Sequence, residues 1–297
     1  MKFGLALSGG GAKGAAHVGV LMALYEQGIV PDVVAGTSAG SIVAGCLAAG
    51  MTPGEIREEV IYLARFGSRY LDPDYLGMLR FIPQLLRRRP TCLKGFLKGN
   101  RLLQYLCYIT EGKGIEDSAL GILIPAVDLY SGRTVIYTNQ KPVGRKEKQV
   151  SGEPVYWENR GMLCRIMMAS SSFPGIFCPR SLDGRMLVDG GVTYNLPTSL
   201  LAAVGVKRMI GVDVGKNLGI SEKSSVLDVV TRSFSIRGES LERCHSQEDA
   251  LILRPKLPET AGLLDFSSMT ASMEAGYDYT IKKLPAIREK LDCKKSF

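Results

Sequence analysis

Histidine is almost missing from this chain. Only His17 and His245 occur in 297 residues, so a triad that needs an imidazole has two possible suppliers, and clusters of metal-binding histidines are excluded. The seven cysteines, at 46, 92, 107, 164, 178, 244 and 293, include no C-x-x-C pair. An odd, scattered set fits neither a disulfide framework nor a zinc site, and the thiols are expected to be reduced packing residues. No run of eighteen or more apolar residues is present, and Met1-Lys2 leads straight into a short strand pattern rather than a signal-peptide core. The expectation is a soluble cytoplasmic protein that needs no cofactor and no metal.

What is present is enough apolar mass for a sizeable core, 45% of residues, and hence one large α/β domain. Lys plus Arg outnumber Asp plus Glu by 37 to 29. The excess gathers at Arg87-Arg88-Arg89, Lys94, Lys98 and Arg101, and again in the loop 140–148. Such patches fit peripheral contact with an anionic surface such as the inner membrane face; nucleic acid is not expected as a partner.

Phe3–Leu7 reads as a strand, Ser8–Gly14 as a glycine-rich turn, and Ala15–Gln27 as a helix closed by Gly28. A second strand, Val33–Ala35, meets a second tight turn and a small-residue helix, Ser41–Ala49. Two strand-turn-helix units within fifty residues imply a parallel sheet. Residues 51–112 read as an irregular helical insertion or cap, in which Pro83 and Pro90 interrupt any long helix. Further strands are expected at Ile122–Asp128, Thr134–Thr138, Ile176–Leu182, Arg185–Val188, Arg208–Val212 and Ala250–Leu253. Helices are expected at 162–170, 197–204, 225–244 and 270–291. The domain is placed at 3–285, with a helix end and tail at 286–297.

The first turn, Gly9-Gly10-Gly11-Ala12-Lys13-Gly14, contains G-x-G-x-x-G between strand and helix. A dinucleotide site would also need an acid at the end of the second strand, and a P-loop would need Lys and Ser or Thr after the last glycine; neither is present. A nest of backbone N–H groups suited to an anion, an oxyanion included, remains. The second turn, Gly36-Thr37-Ser38-Ala39-Gly40, matches G-x-S-x-G in the strand-to-helix context that exposes a nucleophile on a sharp turn. Neither histidine suits Ser38, since His17 falls inside the first helix and His245 in a polar stretch. A carboxylate is therefore the favoured base. Asp189, which stops the Arg185–Val188 strand before Gly190-Gly191, is preferred over Asp128 and Asp213, two other strand-end acids.

Taken together, these elements resemble the bacterial patatin-like phospholipases, the family of plant patatins and neuropathy-target-esterase-like enzymes, over residues 3–285. The glycine loop is similar to the family's oxyanion signature with Lys13 at its basic place, Gly36–Gly40 to its nucleophile elbow, and Asp189-Gly190-Gly191 to its aspartate motif. Ala169-Ser170-Ser171-Ser172-Phe173-Pro174-Gly175 resembles a further block of the family. The resemblance implies a three-layer α/β fold with a central, mostly parallel sheet between helices. It also implies a Ser38–Asp189 dyad without histidine and a lipid or acyl-ester substrate, cleaved as by a phospholipase A, lysophospholipase or carboxylesterase. The alternatives are an acyltransferase or a non-catalytic lipid- or nucleotide-binding protein on the same fold. An ordinary aspartate titrates near about 4, so activity is expected to persist below about pH 6.

Overall fold

The computed structural model describes residues 3–87, 93–144, 148–215, 229–230, 232–233, 236, 250–258 and 261–292. The first strand, β1 (Phe3–Leu7), is buried along its whole length, as a strand covered on both faces must be. The chain continues through α1 (Ala15–Glu26), β2 (Val33–Gly36), α2 (Ala39–Ala48), α3 (Pro53–Phe66), α4 (Tyr75–Leu86), β3 (Gly95–Leu97) and α5 (Asn100–Ile109). It then forms β4 (Gly121–Asp128), β5 (Thr134–Thr138), β6 (Gln149–Val150), β7 (Glu153–Glu158), α6 (Leu163–Ser170), β8 (Gly175–Phe177), β9 (Arg180–Leu182) and β10 (Arg185–Asp189). It closes with α7 (Thr198–Ala203), β11 (Arg208–Val212), β12 (Ala250–Leu253) and α8 (Met269–Asp292).

Ten strands form one sheet in the order β12-β11-β1-β2-β4-β5-β7-β6, with β10 and β9 joined through β4. From β12 to β4 every pairing is parallel. Helices α1, α2, α6 and α8 supply the larger core on one face, and α7 with Leu196, Val206 and Met209 supplies the smaller core on the other. This is the expected α/β arrangement of a mostly parallel sheet between helical layers.

One detail of the topology brings two strand ends together. Strand β4 takes β2 alongside its first half, Ala35 opposite Leu123, and β10 alongside its second half, Asp189 opposite Ala126. Strand β2 runs parallel to β4 and β10 runs antiparallel to it, so their C-terminal ends point toward each other across three residues of β4, about 10 Å.

Four sequence expectations need correction. Cys107 on α5 and Cys164 on α6 are joined in a disulfide, with Cα atoms 4.9 Å apart; thiols 57 positions apart are brought together only by the packing of those helices. Pro83 lies inside α4 rather than ending it. The carbonyl that loses its partner, that of Leu79, belongs to a residue 71% exposed, where water can serve it. The segment Ile176–Leu182 is two strands, because Pro179 cannot continue a ladder. Its first piece, β8, pairs with β3 in a separate two-stranded sheet. The loop 140–148 leads into a strand pair, β6 with β7, that the sequence reading passed over. The predicted helix at 225–244 falls largely outside the described residues, and Arg88, Arg89, Pro90 and His245 fall outside them altogether.

Candidate active site

Ser38 begins α2 from a backbone conformation, φ 53 and ψ −123, that few residues other than glycine adopt. Several hydrogen bonds hold it there. Its N–H donates to Ser170 Oγ at 3.1 Å, and its carbonyl accepts from Ser41 N–H, Ile42 N–H and Ser41 Oγ. The preceding Thr37 Oγ1 donates to Tyr194 O at 2.7 Å. The flanking glycines are steric requirements. A Cβ on Gly36 would lie 2.2 Å from Gly40 O, and one on Gly40 2.3 Å from Leu7 O. The first turn of α2, Ala39 and Gly40 included, thereby sits directly against the sheet with its N-terminal dipole end behind Ser38.

The glycine loop lies against that serine: a Cβ built on Gly9 would be 3.2 Å from Ser38 Cβ. Of the loop's N–H groups, that of Gly9 is bound to Asn195 O at 3.1 Å and that of Ala12 to Leu263 O at 2.8 Å. Lys13 and Gly14 are buried in the one-turn helix Gly11–Gly14 that follows, and Gly14 packs against Ala39. Among the described residues no acceptor is found for the N–H groups of Gly10 and Gly11, so the six-residue nest narrows to these two donors. Gly11 has φ 58, and a Cβ there would meet Leu263 O at 2.2 Å.

Asp189 ends β10 facing this serine. It is 2% exposed, and its N–H donates to Ser172 O. Its Oδ1 accepts from Gly191 N–H at 2.7 Å, and Gly190 packs so close to Pro125 that no Cβ would fit. Oδ2 is buried without a bond of ordinary geometry, yet the Ser38 hydroxyl is near enough to favour the carboxylate. Contacts of this kind are often loose before substrate binds. Burial pushes the carboxyl up to about 7, against the Ser38 hydroxyl and the Gly191 N–H, which both favour ionisation. The expectation of a base titrating near about 4 is therefore revised, for a reason that only tertiary burial supplies.

The competing groups have other partners. Asp128 makes a turn, accepting from Tyr130, Ser131 and Met186. Asp213 pairs with Arg254 at 3.1 Å. His17 is fully buried, its Nε2 against Ser8 O at 2.9 Å, a contact in which the nitrogen must be the donor. Burial lowers its pKa to about 4, opposed by that bond and by the charge of Asp213. It is a packed helix residue, as its position in the helix suggested. Among the described residues no three His, Cys, Asp or Glu side chains converge on a metal-sized site.

The sequence reading singled out the serine-rich block but not what it does. Ser170 holds Ser38 and Ser172 holds Asp189, so a single short segment ties the two motifs together. Asn195, between Gly9 and Gly191, was missed; only the fold brings it there.

Ser38 opens onto a cavity of about 150 Å³ walled mostly by apolar side chains of α1, α2, α3 and the segment 263–269. On α2 the wall is Ile42, Val43 and Cys46, one helix face extending two turns, about 12 Å, from the serine.

Residues 5–202 match the family described as Patatin-like phospholipase. The chain belongs to the patatin-like phospholipase family. Within it, the chain is 27% identical over 279 residues to the lysophospholipase NTE1 of Mycosarcoma maydis, a match covering 92% of this chain and 12% of that protein. It is 30% identical over 210 residues to an uncharacterized NTE family protein of Mycobacterium bovis, covering 71% of this chain and 48% of that one. The chain thus spans about half or less of the length of these relatives. Among solved structures it is similar to human GIVD cytosolic phospholipase A2 in complex with methyl gamma-linolenyl fluorophosphonate, with a TM-score of 0.51 at 13% identity. That match covers 98% of this chain and 59% of the human one, and at such identity the likeness concerns the fold.

Proposed function

We propose that this patatin-like protein is a serine-dependent lipid acyl hydrolase of the phospholipase A, lysophospholipase or carboxylesterase type, with Ser38 as nucleophile and Asp189 as base. The observation that carries this reading is a strained serine at the mouth of an apolar cavity, with a buried carboxylate beside its hydroxyl and uncommitted N–H groups alongside.

In this mechanism Ser38 Oγ attacks the ester carbonyl while Asp189 takes the hydroxyl proton. The carbonyl oxygen becomes an anion held by Gly10 and Gly11 N–H, each such donor being worth about 3 kcal/mol. Collapse breaks the ester C–O bond, and the alcohol leaves with the proton from Asp189. Water then attacks the acyl-serine, giving its proton to Asp189, and the acid departs as Ser38 recovers its own. The acyl chain lies along Ile42, Val43 and Cys46, a wall long enough for about ten carbons in extended form. Two relatives support the class of reaction, one named a lysophospholipase and the other solved with a lipid-like fluorophosphonate.

The test is intact-mass analysis of wild type and Ser38→Ala after incubation with a lipophilic fluorophosphonate. One adduct, mapped to Ser38 and absent from the variant, is expected. A folded wild type that takes no adduct would point instead to a protein that binds lipid without cleaving it.

A further inference from the structure

Helix α4 is placed unlike the other described helices. It is capped and anchored at its start, where Asp74 Oδ1 accepts from Gly77 N–H and Asp72 gathers the N–H groups of Gly99 and Asn100. Beyond that it packs on little except β3. Tyr75, Leu76, Leu79, Leu85 and Leu86 are 74%, 52%, 71%, 59% and 80% exposed, and Pro83 is exposed with them. A soluble domain rarely leaves so many large apolar side chains in water on one element.

Their arrangement identifies what they face. At about 100° per residue, all of these but Leu85, which falls on the other side of the helix, lie on one stripe about 100° wide. Arg87 and Arg80, both exposed, follow within about 40° on one flank of the stripe. Among the described residues neither arginine meets a carboxylate, and the nearby acids are already engaged, Asp72 by backbone N–H groups and Asp74 by Gly77 and Lys98. Phe96 of β3, 56% exposed, and Lys94 just before that strand add the same pair of properties. A narrow apolar stripe with cations along its edge is the pattern of a helix lying in the plane of a lipid headgroup layer, leucines among the acyl chains and arginines at the phosphates. Its location agrees. Strand β3 pairs with β8, whose Ile176 and Phe177 wall the cavity next to Ser38.

We propose that α4, with Phe96 and Lys94, is a docking surface that seats the protein on an anionic lipid bilayer with the cavity close to the interface. A second copy of the chain could cover the apolar stripe but would bring Arg80 and Arg87 against a like-charged neighbour, so the lipid surface is the better complement. The inference concerns binding and stands whether or not Ser38 is catalytic.

The test is co-sedimentation of the full chain with vesicles of phosphatidylcholine alone and of phosphatidylcholine mixed equally with phosphatidylglycerol. Three proteins are compared: wild type, Leu79→Asp/Leu86→Asp and Arg80→Gln/Arg87→Gln. Circular dichroism and thermal melting establish that the variants are folded, as expected for exposed sites. Wild type should bind the mixed vesicles more tightly than the neutral ones. The leucine variant should lose binding to both by at least about tenfold, and the arginine variant should lose only the preference for anionic lipid. Two outcomes overturn the proposal: equal binding by wild type and the leucine variant, or a wild-type dimer, seen by light scattering, that the leucine substitutions dissolve without any vesicle binding.

Discussion

Two neighbouring regions of this molecule obey opposite packing rules. Where β1, β2 and β10 end, side chains are small or absent and backbone meets backbone at distances that exclude even a methyl group. Over 53–109 the side chains are large, and on α4 they project into solvent. The contrast shows which part of the fold is built to hold atoms still and which part is built to meet something else. A site that needs an oxyanion donor and a serine within a few tenths of an ångström of their places requires an over-determined backbone. A surface that meets a fluid partner requires only the right periodicity of apolar and charged groups.

The sharpest way to break the first region is Gly11→Ala. The added Cβ would need the 2.2 Å now separating its position from Leu263 O, and φ 58 is itself unfavourable to alanine. The loop must move, taking the Gly10 and Gly11 donors with it. Turnover should fall by about 100- to 1000-fold or more, with a lowered melting temperature, as kcat measurements and calorimetry would show. Retained kcat would mean that the oxyanion is held elsewhere.

Asp189→Asn should separate stability from activity within the same region. Burial leaves the folded carboxyl at about 7, above its ordinary 3.8. The native state therefore holds more protons than the unfolded chain between these values, and stability falls as pH rises through that window. The cost, fully present above about pH 7 and absent below about pH 4, is of the order of 4 kcal/mol. Asparagine keeps the acceptor for Gly191 N–H and removes the buried charge. The variant should melt higher than wild type at pH 8, show no such gain at pH 4, and be inactive. In the wild type the same group should give kcat/KM an acid limb near pH 7. His17→Gln, which can still donate to Ser8 O, should leave that limb in place because His17 is neutral throughout this range. A limb lost with His17 would remove Asp189 from the role of base.

How far this was legible in the sequence follows the same division. Glycine turns are local instructions, so the tight turns at Gly36–Gly40 and Gly9–Gly14 could be read from a few neighbouring letters. So could β1, β5 and β11, whose bounds agree with the apolar runs that predicted them. The meeting of Ser38 with Asp189 came only from the family resemblance, because in the residues themselves it depends on β2 and β10 sharing the flank of β4. The disulfide, the positioning bonds of Ser170, Ser172 and Asn195, and the elevated pKa of Asp189 could not be read at all, being products of tertiary contact. The three-residue strand β3 carries too little periodicity to be distinguished from loop. In α4 the helical period was present, but periodicity gives the direction of a stripe and not whether protein or solvent lies opposite it.

That last distinction yields the smallest predicted effect. If the stripe of α4 faces away from the protein, replacing its leucines with a polar residue of similar length removes no packing. Leu79→Gln and Leu86→Gln, each made singly, should change unfolding free energy by less than about 0.5 kcal/mol. By contrast, Leu→Ala at buried Leu21 or Leu24 should cost about 2 to 5 kcal/mol. Urea denaturation of the full chain measures both. A loss above about 2 kcal/mol at Leu79 would show that the helix closes onto the protein in solution, and the two regions would then differ in composition but not in purpose. Equal stability, with the leucine stripe dispensable to the fold, leaves an apolar surface whose maintenance has to be explained by what it contacts.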